Sequence, residues 1–261
     1  MDITILFIVF ILGICVGSFL NVLIDRIPND ESPFRGRSYC DKCKKTLRWY
    51  DLIPLLSYLY LKGKCRYCRA QISFSYPLVE LITGVMFVLT FFYLKDLRFT
   101  IYDLRFFLNY FYYAFILSSF IVIFFTDLKY GIIPDKILYP AVAAAAIFNF
   151  QFSIFNFIFS ALGAFIFFLA LFLITKGKGM GFGDVKLSFL LGLVLGFPKI
   201  IVGLYLAFLT GAIIGSILII WGEKKLKGGT IPFGPFLIIG AVLSIFFGEK
   251  ITHLASLWLS F

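Results

Sequence analysis

Histidine is almost missing from this chain. Of 261 residues only His253 is a histidine. An HExxH zinc protease needs two histidines one helical turn apart, so that class is excluded. A Ser-His-Asp triad or a Cys-His pair would have to recruit His253. That residue lies in a polar patch, Glu249 to His253, with nothing nearby in sequence to pair with it, and reads as solvated or interfacial. Charge is also scarce, at 15% of residues, and acids are fewer than bases, 14 against 24. What replaces them is apolar. Hydrophobic residues reach 61%, aromatics reach 20% with 35 Phe, and the mean hydropathy is +0.98. A soluble domain carries about 45–50% apolar residues, so this excess marks an integral membrane protein. A secreted disulfide scaffold, a disordered chain and an ordinary cytosolic enzyme are excluded. The net charge of +10 points to cytoplasmic loops and anionic lipid heads before nucleic acid, which is not an expected partner.

The apolar runs predict an all-α polytopic membrane protein with about eight transmembrane helices, at 3–24, 76–94, 106–125, 137–150, 154–175, 187–197, 200–221 and 231–247. The first run lacks a basic start and exceeds a signal-peptide core, so it reads as a span. The runs 137–150 and 187–197 are short for a hydrocarbon core of about 30 Å. Each must recruit flanking residues, thin the bilayer or line a wet cavity. If 187–197 does not cross, only the orientation of the chain after it changes. Placing the N-terminus outside puts 19 of the 24 Lys and Arg residues in inside loops, 11 of them in the first. By the positive-inside rule that loop is cytoplasmic. The chain then divides into a first transmembrane helix (1–24), a small cytoplasmic loop domain (25–75) and a transmembrane helical bundle (76–261). No convincing sequence repeat is visible. Gly203, Ala207 and Gly211, at i,i+4 spacing, suit close helix packing within or between chains. Sequence sets no oligomeric state.

The loop domain is too small for a large core and carries Cys40-Asp41-Lys42-Cys43 and Cys65-Arg66-Tyr67-Cys68. Two CxxC knuckles at this separation match a four-thiolate zinc site. Four cysteines leave no open position for substrate, so Zn2+ here is expected to be structural. Two disulfides are the alternative, disfavoured where cytosolic thiols stay reduced. Cys15, in the first span, reads as packing.

Acids at membrane depth are costly and default to functional candidates. Asp127 follows the 106–125 span, and Asp184 lies in Gly181-Phe182-Gly183-Asp184 just before the sixth span. Two crossings separate them, which returns the chain to the same membrane face. Close carboxyls do not both ionise easily, so such a pair shares one proton. One activates water while the other protonates the substrate, which is aspartic-type peptide hydrolysis and needs no histidine. In the competing reading Asp127 and Asp135 cap helices or pair with Lys129 and Lys136. Asp135, after Pro134, suits a helix N-cap. Gly181 and Gly183 allow close approach to a bound peptide. Glu80, one turn inside the second span, suits a polar substrate group or a pairing with Arg26. Lys186, Asp135, Gly181, Gly183 and Glu80 are therefore candidates for binding substrate or cofactor. Asn21 and Asp25 share a helix face.

Taken in order, these pieces resemble the bacterial prepilin peptidase family, the leader peptidase/N-methyltransferases of type IV pilus, type II secretion and competence systems, whose proteases are of the GxGD aspartic type. The matching pieces begin with Gly17-Ser18-Phe19-Leu20-Asn21-Val22, Arg26-Ile27-Pro28, the two CxxC knuckles and Ser75-Tyr76-Pro77-Leu78-Val79-Glu80. Asp127 leading to Ile133-Pro134-Asp135, Gly181-Phe182-Gly183-Asp184-Val185-Lys186 and Ile231-Pro232-Phe233-Gly234-Pro235-Phe236-Leu237 complete the set. The resemblance implies an inner-membrane enzyme that cuts the basic leader from prepilins or pseudopilins at the cytoplasmic face, with Asp127 and Asp184 as the catalytic pair. It also implies N-methylation of the new N-terminal residue from S-adenosylmethionine. Two rival functions remain: a GxGD protease without methylation, and a metal-binding transporter or assembly scaffold.

Overall fold

The structure, a computed structural model, describes residues 3–96, 103–149, 154–177, 179–220 and 232–259. Among these the fold is all-helical: α1 (Ile3–Arg26), α2 (Leu56–Tyr60), α3 (Ser75–Asp96), α4 (Leu104–Tyr130), α5 (Asp135–Asn149), α6 (Ile154–Ile174), α7 (Phe182–Leu195), α8 (Lys199–Ile220) and α9 (Gly234–Leu259). Every expected span is met by a helix. Six of them, α1, α3, α4, α6, α8 and α9, are long and apolar enough to cross a membrane. The shorter α5 and α7 reach only about 21–23 Å at the α-helical rise, so eight crossings are not established. Expected span residues 150, 221 and 231, and the loop 222–230, lie outside the described residues.

The chain forms two compact units, Met1–Val122 and Ile123–Phe261. In the first, α1 and α3 pack backbone to backbone. A Cβ on Gly13 would lie 2.7 Å from Gly84 Cα, and one on Gly17 would lie 2.7 Å from Glu80 Cα. This Gly13-x-x-x-Gly17 stripe is the small-residue seam of membrane helix pairs. Farther along, Phe91, Leu94 and Phe106 form an aromatic core between α3 and the start of α4.

In the second unit α7 is buried on nearly every side, among α5, α6, α8 and α9. A helix that is apolar all round belongs in such an interior, where its short length is no handicap. Gly192 makes this possible, because a Cβ there would meet Ala161 Cα at 2.3 Å. Likewise a Cβ on Gly240 of α9 would meet the Gly203 carbonyl of α8 at 2.2 Å. The expected small-residue stripe on α8 therefore packs within the chain.

Two helix boundaries differ from expectation in a way that matters. The fourth helix runs past Phe125 to Tyr130 and ends at Gly131, whose φ of +68° closes it with a bond from Gly131 N–H to Asp127 C=O of 2.8 Å. The seventh begins at Phe182, five residues before the apolar run. Both Asp127 and Asp184 are thus inside helices instead of in the loops beside them. Apolar periodicity marks only the lipid-depth part of a helix, whereas the backbone hydrogen bonds continue into the polar ends.

Candidate active site and metal centre

The loop domain is built from two knuckles with the same backbone plan. Cys40 N–H donates to Lys45 C=O at 3.0 Å and Lys44 N–H to Cys40 C=O at 2.8 Å. Cys65 N–H donates to Ala70 C=O at 2.8 Å and Arg69 N–H to Cys65 C=O at 2.9 Å. Lys44 and Arg69 both take the left-handed conformation, and an antiparallel bridge closes each knuckle, Tyr39 with Thr46 and Lys64 with Gln71. This structural repeat escaped sequence comparison because only the cysteine spacing and backbone path recur. The four Sγ atoms lie within 4.8 Å of one another, with Cys40 and Cys68 at 3.8 Å. These four residues can hold one metal ion. Burial favours the Cys40 thiol, but amides of Cys43 and Lys42 outweigh it and bring Cys40 down to about 7. The Ala70 amide favours the Cys68 thiolate, yet burial and the three neighbouring thiols push it up to about 11. Four thiols cannot all ionise together without a cation among them, which is the chemistry of a metal-binding donor set.

Asp51, unassigned from sequence, pins the second knuckle. It accepts from Arg66 Nε at 2.6 Å, Tyr67 Oη at 3.3 Å and Arg48 N–H at 3.2 Å. Burial favours its neutral form, but the Arg66 guanidinium and the Arg48 amide hold the carboxyl below its ordinary range. Buried polar groups then fasten the loop to the helices. Arg26 does not pair with Glu80. It donates to the carbonyls of Ser32, Arg35 and Arg37 at 2.8–3.1 Å, folding residues 32–37 around one guanidinium. Asn21 and Asp25 converge on one tyrosine: Asn21 Nδ2 donates to Tyr76 C=O at 3.0 Å, and Tyr76 Oη donates to Asp25 at 2.8 Å. Glu80, buried, accepts the Leu55 N–H at 2.8 Å. This bond makes it a tether for the loop, inside the first unit.

In the second unit four segments converge on Asp127 and Asp184. They are the end of α4, the Gly131–Pro134 turn, and the starts of α7 and α9. Both acids are buried, 6% and 5% exposed. Ile133 joins their surroundings, since it packs against Gly183, next to Asp184, and against Gly234, which borders Asp127. Asp184 stands in the first turn of α7 and accepts the Gly181 N–H at 3.1 Å, half of a capping box. Asp127 Oδ2 is buried, and the Gly234 amide is the backbone donor beside its carboxyl. It faces Gly234, where a Cβ would come within 2.5 Å of it. The Ile133 side chain packs where a Cβ on Gly183 would sit, at 3.2 Å, and also borders Gly234. Gly183 therefore admits protein, the Ile133 side chain, and Gly181 supplies its amide. Gly234 carried no assigned role from sequence, although it sits in one of the matching motifs. Its signal is a glycine opening a helix directly before a proline.

Asp135 opens α5 and forms an ion pair with Lys186, whose ammonium also lies over the rings of Tyr139 and Phe182, 5.8 and 5.9 Å from the centroids. Asp135 is thus engaged by a cation, whereas Asp127 borders Gly234. His253, near the end of α9, is exposed.

Two family models match. Residues 11–94 match the bacterial peptidase A24 N-terminal domain, and residues 114–216 match the type IV leader peptidase family. A prepilin leader peptidase/N-methyltransferase of Bacillus subtilis is 34% identical over 94% of this chain and 95% of its own length. The chain belongs to the prepilin leader peptidase family. The relative of that name from Aeromonas hydrophila is 31% identical over 94% of this chain and 91% of its own, and that from Neisseria gonorrhoeae is 29% identical over 96% and 93%. No solved structure matches. The two matched regions follow the order of the two units, cysteine loop first and aspartates second.

Proposed function

We propose that this chain is a membrane-embedded aspartic peptidase that removes the basic leader from type IV prepilins or pseudopilins and N-methylates the new N-terminal residue. The observation that carries the reading is that Asp127 and Asp184, both buried at helix ends of one unit, border the same Gly183, Ile133 and Gly234 cluster, in a member of this peptidase family. In the reaction one carboxylate takes a proton from water. The resulting hydroxide attacks the scissile carbonyl carbon, and the other carboxyl hydrogen-bonds and protonates the carbonyl oxygen. The tetrahedral species collapses by breaking the C–N bond, with the proton returning to the leaving amine. In this reading Asp127 Oδ2, buried beside Gly234, takes the proton from that water, and Asp184 is oriented by the Gly181 amide.

The topology proposed is N-terminus outside, with residues 25–75 and both aspartates at the cytoplasmic face of the bacterial inner membrane. A prepilin helix lying in the bilayer then presents its scissile bond at the headgroup level. Tetrahedral Zn–S bonds of about 2.3 Å set sulfurs about 3.8 Å apart, so the Cys40, Cys43, Cys65 and Cys68 cluster suits a structural Zn2+. S-adenosylmethionine as methyl donor is supported by the relatives' name. Of the other candidates, Lys186 with Asp135 borders the site, whereas Gly181 and Gly183 shape it.

The deciding experiment incubates purified protein with a prepilin and labelled S-adenosylmethionine. Cleaved, labelled product is expected. Cleaved, unlabelled product would assign the chain to the peptidase activity alone. No cleavage under any lipid condition would end the reading.

A further inference from the structure

Glu80 lies five residues past the start of α3, which is about 7–8 Å along the helix axis from Ser75. Its carboxylate holds the N–H of Leu55, and Leu55 has a φ of +58°. A bulky residue keeps that conformation only where its surroundings impose it. The tether is therefore specific, and it fixes a depth. α2 starts at the next residue, alongside the first turns of α3. One side of α2 faces its own domain: Tyr58 Oη donates to Ile72 C=O and the Tyr58 ring meets Phe74 edge-on at 6.5 Å. The other side carries Leu56, Leu59 and Tyr60, spaced i, i+3, i+4, and 65%, 70% and 79% exposed. Trp49, in the turn leading to α2, is 75% exposed. Exposed Arg48 and Lys62 flank this apolar stretch at either end. Over residues 25–75 the chain carries 11 basic residues against 5 acidic ones.

An apolar face of this kind needs a cover. Its tether puts it at the boundary between headgroups and hydrocarbon, where Trp and Tyr are favoured and where Lys and Arg meet lipid phosphates. We propose that Trp49–Tyr60 is an interfacial wedge that seats the loop domain on anionic phospholipid. Leu56 and Leu59 enter the acyl region, Trp49 and Tyr60 sit at the glycerol level, and Arg48 and Lys62 contact phosphates. The wedge gives the metal knuckles a fixed height at the membrane surface in addition to the chain connections at α1 and α3. It follows from membrane insertion and does not depend on the peptidase reading.

The test uses the full-length chain carrying Trp221→Phe and Trp258→Phe, so that Trp49 is the sole indole. The protein is placed in nanodiscs of phosphatidylcholine, alone or mixed with phosphatidylglycerol, with acyl chains brominated near the carbonyl end or left unbrominated. Trp49 emission is expected to be roughly halved by bromine, and quenched more when phosphatidylglycerol is present. Leu56→Glu with Leu59→Glu should restore emission. Should that double variant fail to fold, the parent protein's quenching still decides. Trp49 unquenched in both lipid mixtures would overturn the wedge. Quenching indifferent to phosphatidylglycerol would overturn the anionic contact. Trp49 unquenched by lipid but shielded from aqueous iodide on adding prepilin would assign the face to a protein partner.

Discussion

The cysteine loop and the aspartate site are organised in opposite ways. In the loop the two cysteines of each pair are three positions apart, and each knuckle closes through hydrogen bonds spanning four to five residues. Local chain geometry does most of the assembly, and a metal held by all four cysteines would join two prefabricated halves. The aspartates lie 57 positions apart in sequence. Nothing local brings them together: Asp127 is set by the Gly131 helix end, Asp184 by the Gly181 amide, and their meeting by packing of α4, α7 and α9. A locally built site fails gradually and through its own fold. A site built by distant helices fails through small displacements that leave the fold intact.

That contrast can be broken or sharpened by substitution. The largest effect is expected from Asp127→Asn and Asp184→Asn, each lowering prepilin cleavage by about 10³-fold or more while insertion and helicity persist. Substantial cleavage by either variant removes that residue from the pair. Gly234→Ala comes next. Its Cβ would press on Asp127 Oδ2, and a misplacement of about 1 Å costs roughly 10²-fold. The loss should appear in kcat more than in KM. Metal removal should act in the other manner. Stripping zinc, or Cys43→Ser, removes folding energy on the order of 10 kcal/mol from the loop. Limited proteolysis should then cut within residues 25–75, while cleavage declines less steeply than in the Asn variants. If chelation left the loop resistant and both activities untouched, the structural-metal assignment would fall.

Smaller effects belong to the fastenings. Asp51→Asn should destabilise the loop by about 1 kcal/mol at neutral pH, since the ion pair with Arg66 is partly solvated. The Asp51 carboxyl titrates below its unfolded value, so its contribution is fully present above the unfolded value. It disappears as pH falls through the folded one. The gap between parent and variant in chemical denaturation should therefore close in acid. Least is expected from Asp135→Asn, because an exposed pair with Lys186 is worth about 0–1 kcal/mol. A large rise in KM for that variant would instead give Lys186 and Asp135 a direct role on substrate.

Much of this was legible in the chain alone. Apolar runs located the six helices long and apolar enough to span, because the bilayer demands length and low polarity together. The knuckles were legible because metal ligation imposes a short, fixed spacing. The aspartates were legible as candidates because acids near hydrocarbon are rare. Other features were not. Glu80 looked free to bind substrate or Arg26, and it is the tether of Leu55. Arg26 looked like a partner for an acid, and it is the hub of three carbonyls. A hydrogen bond to a backbone group leaves no mark on the partner's residue type, so spacing cannot reveal it.

The amino-acid order by itself determined that this chain lives in a membrane, which segments are helical, and which four sulfurs and two acids stand apart from the apolar background. Those properties follow from transfer free energies and local geometry, which act on each segment separately. Only tertiary structure decided that α7 lies inside the bundle, that Gly234 leaves room beside Asp127, and that Asp135 is taken by Lys186. Each of those depends on which backbones approach one another, and close packing between distant segments is a property of the assembled helices together.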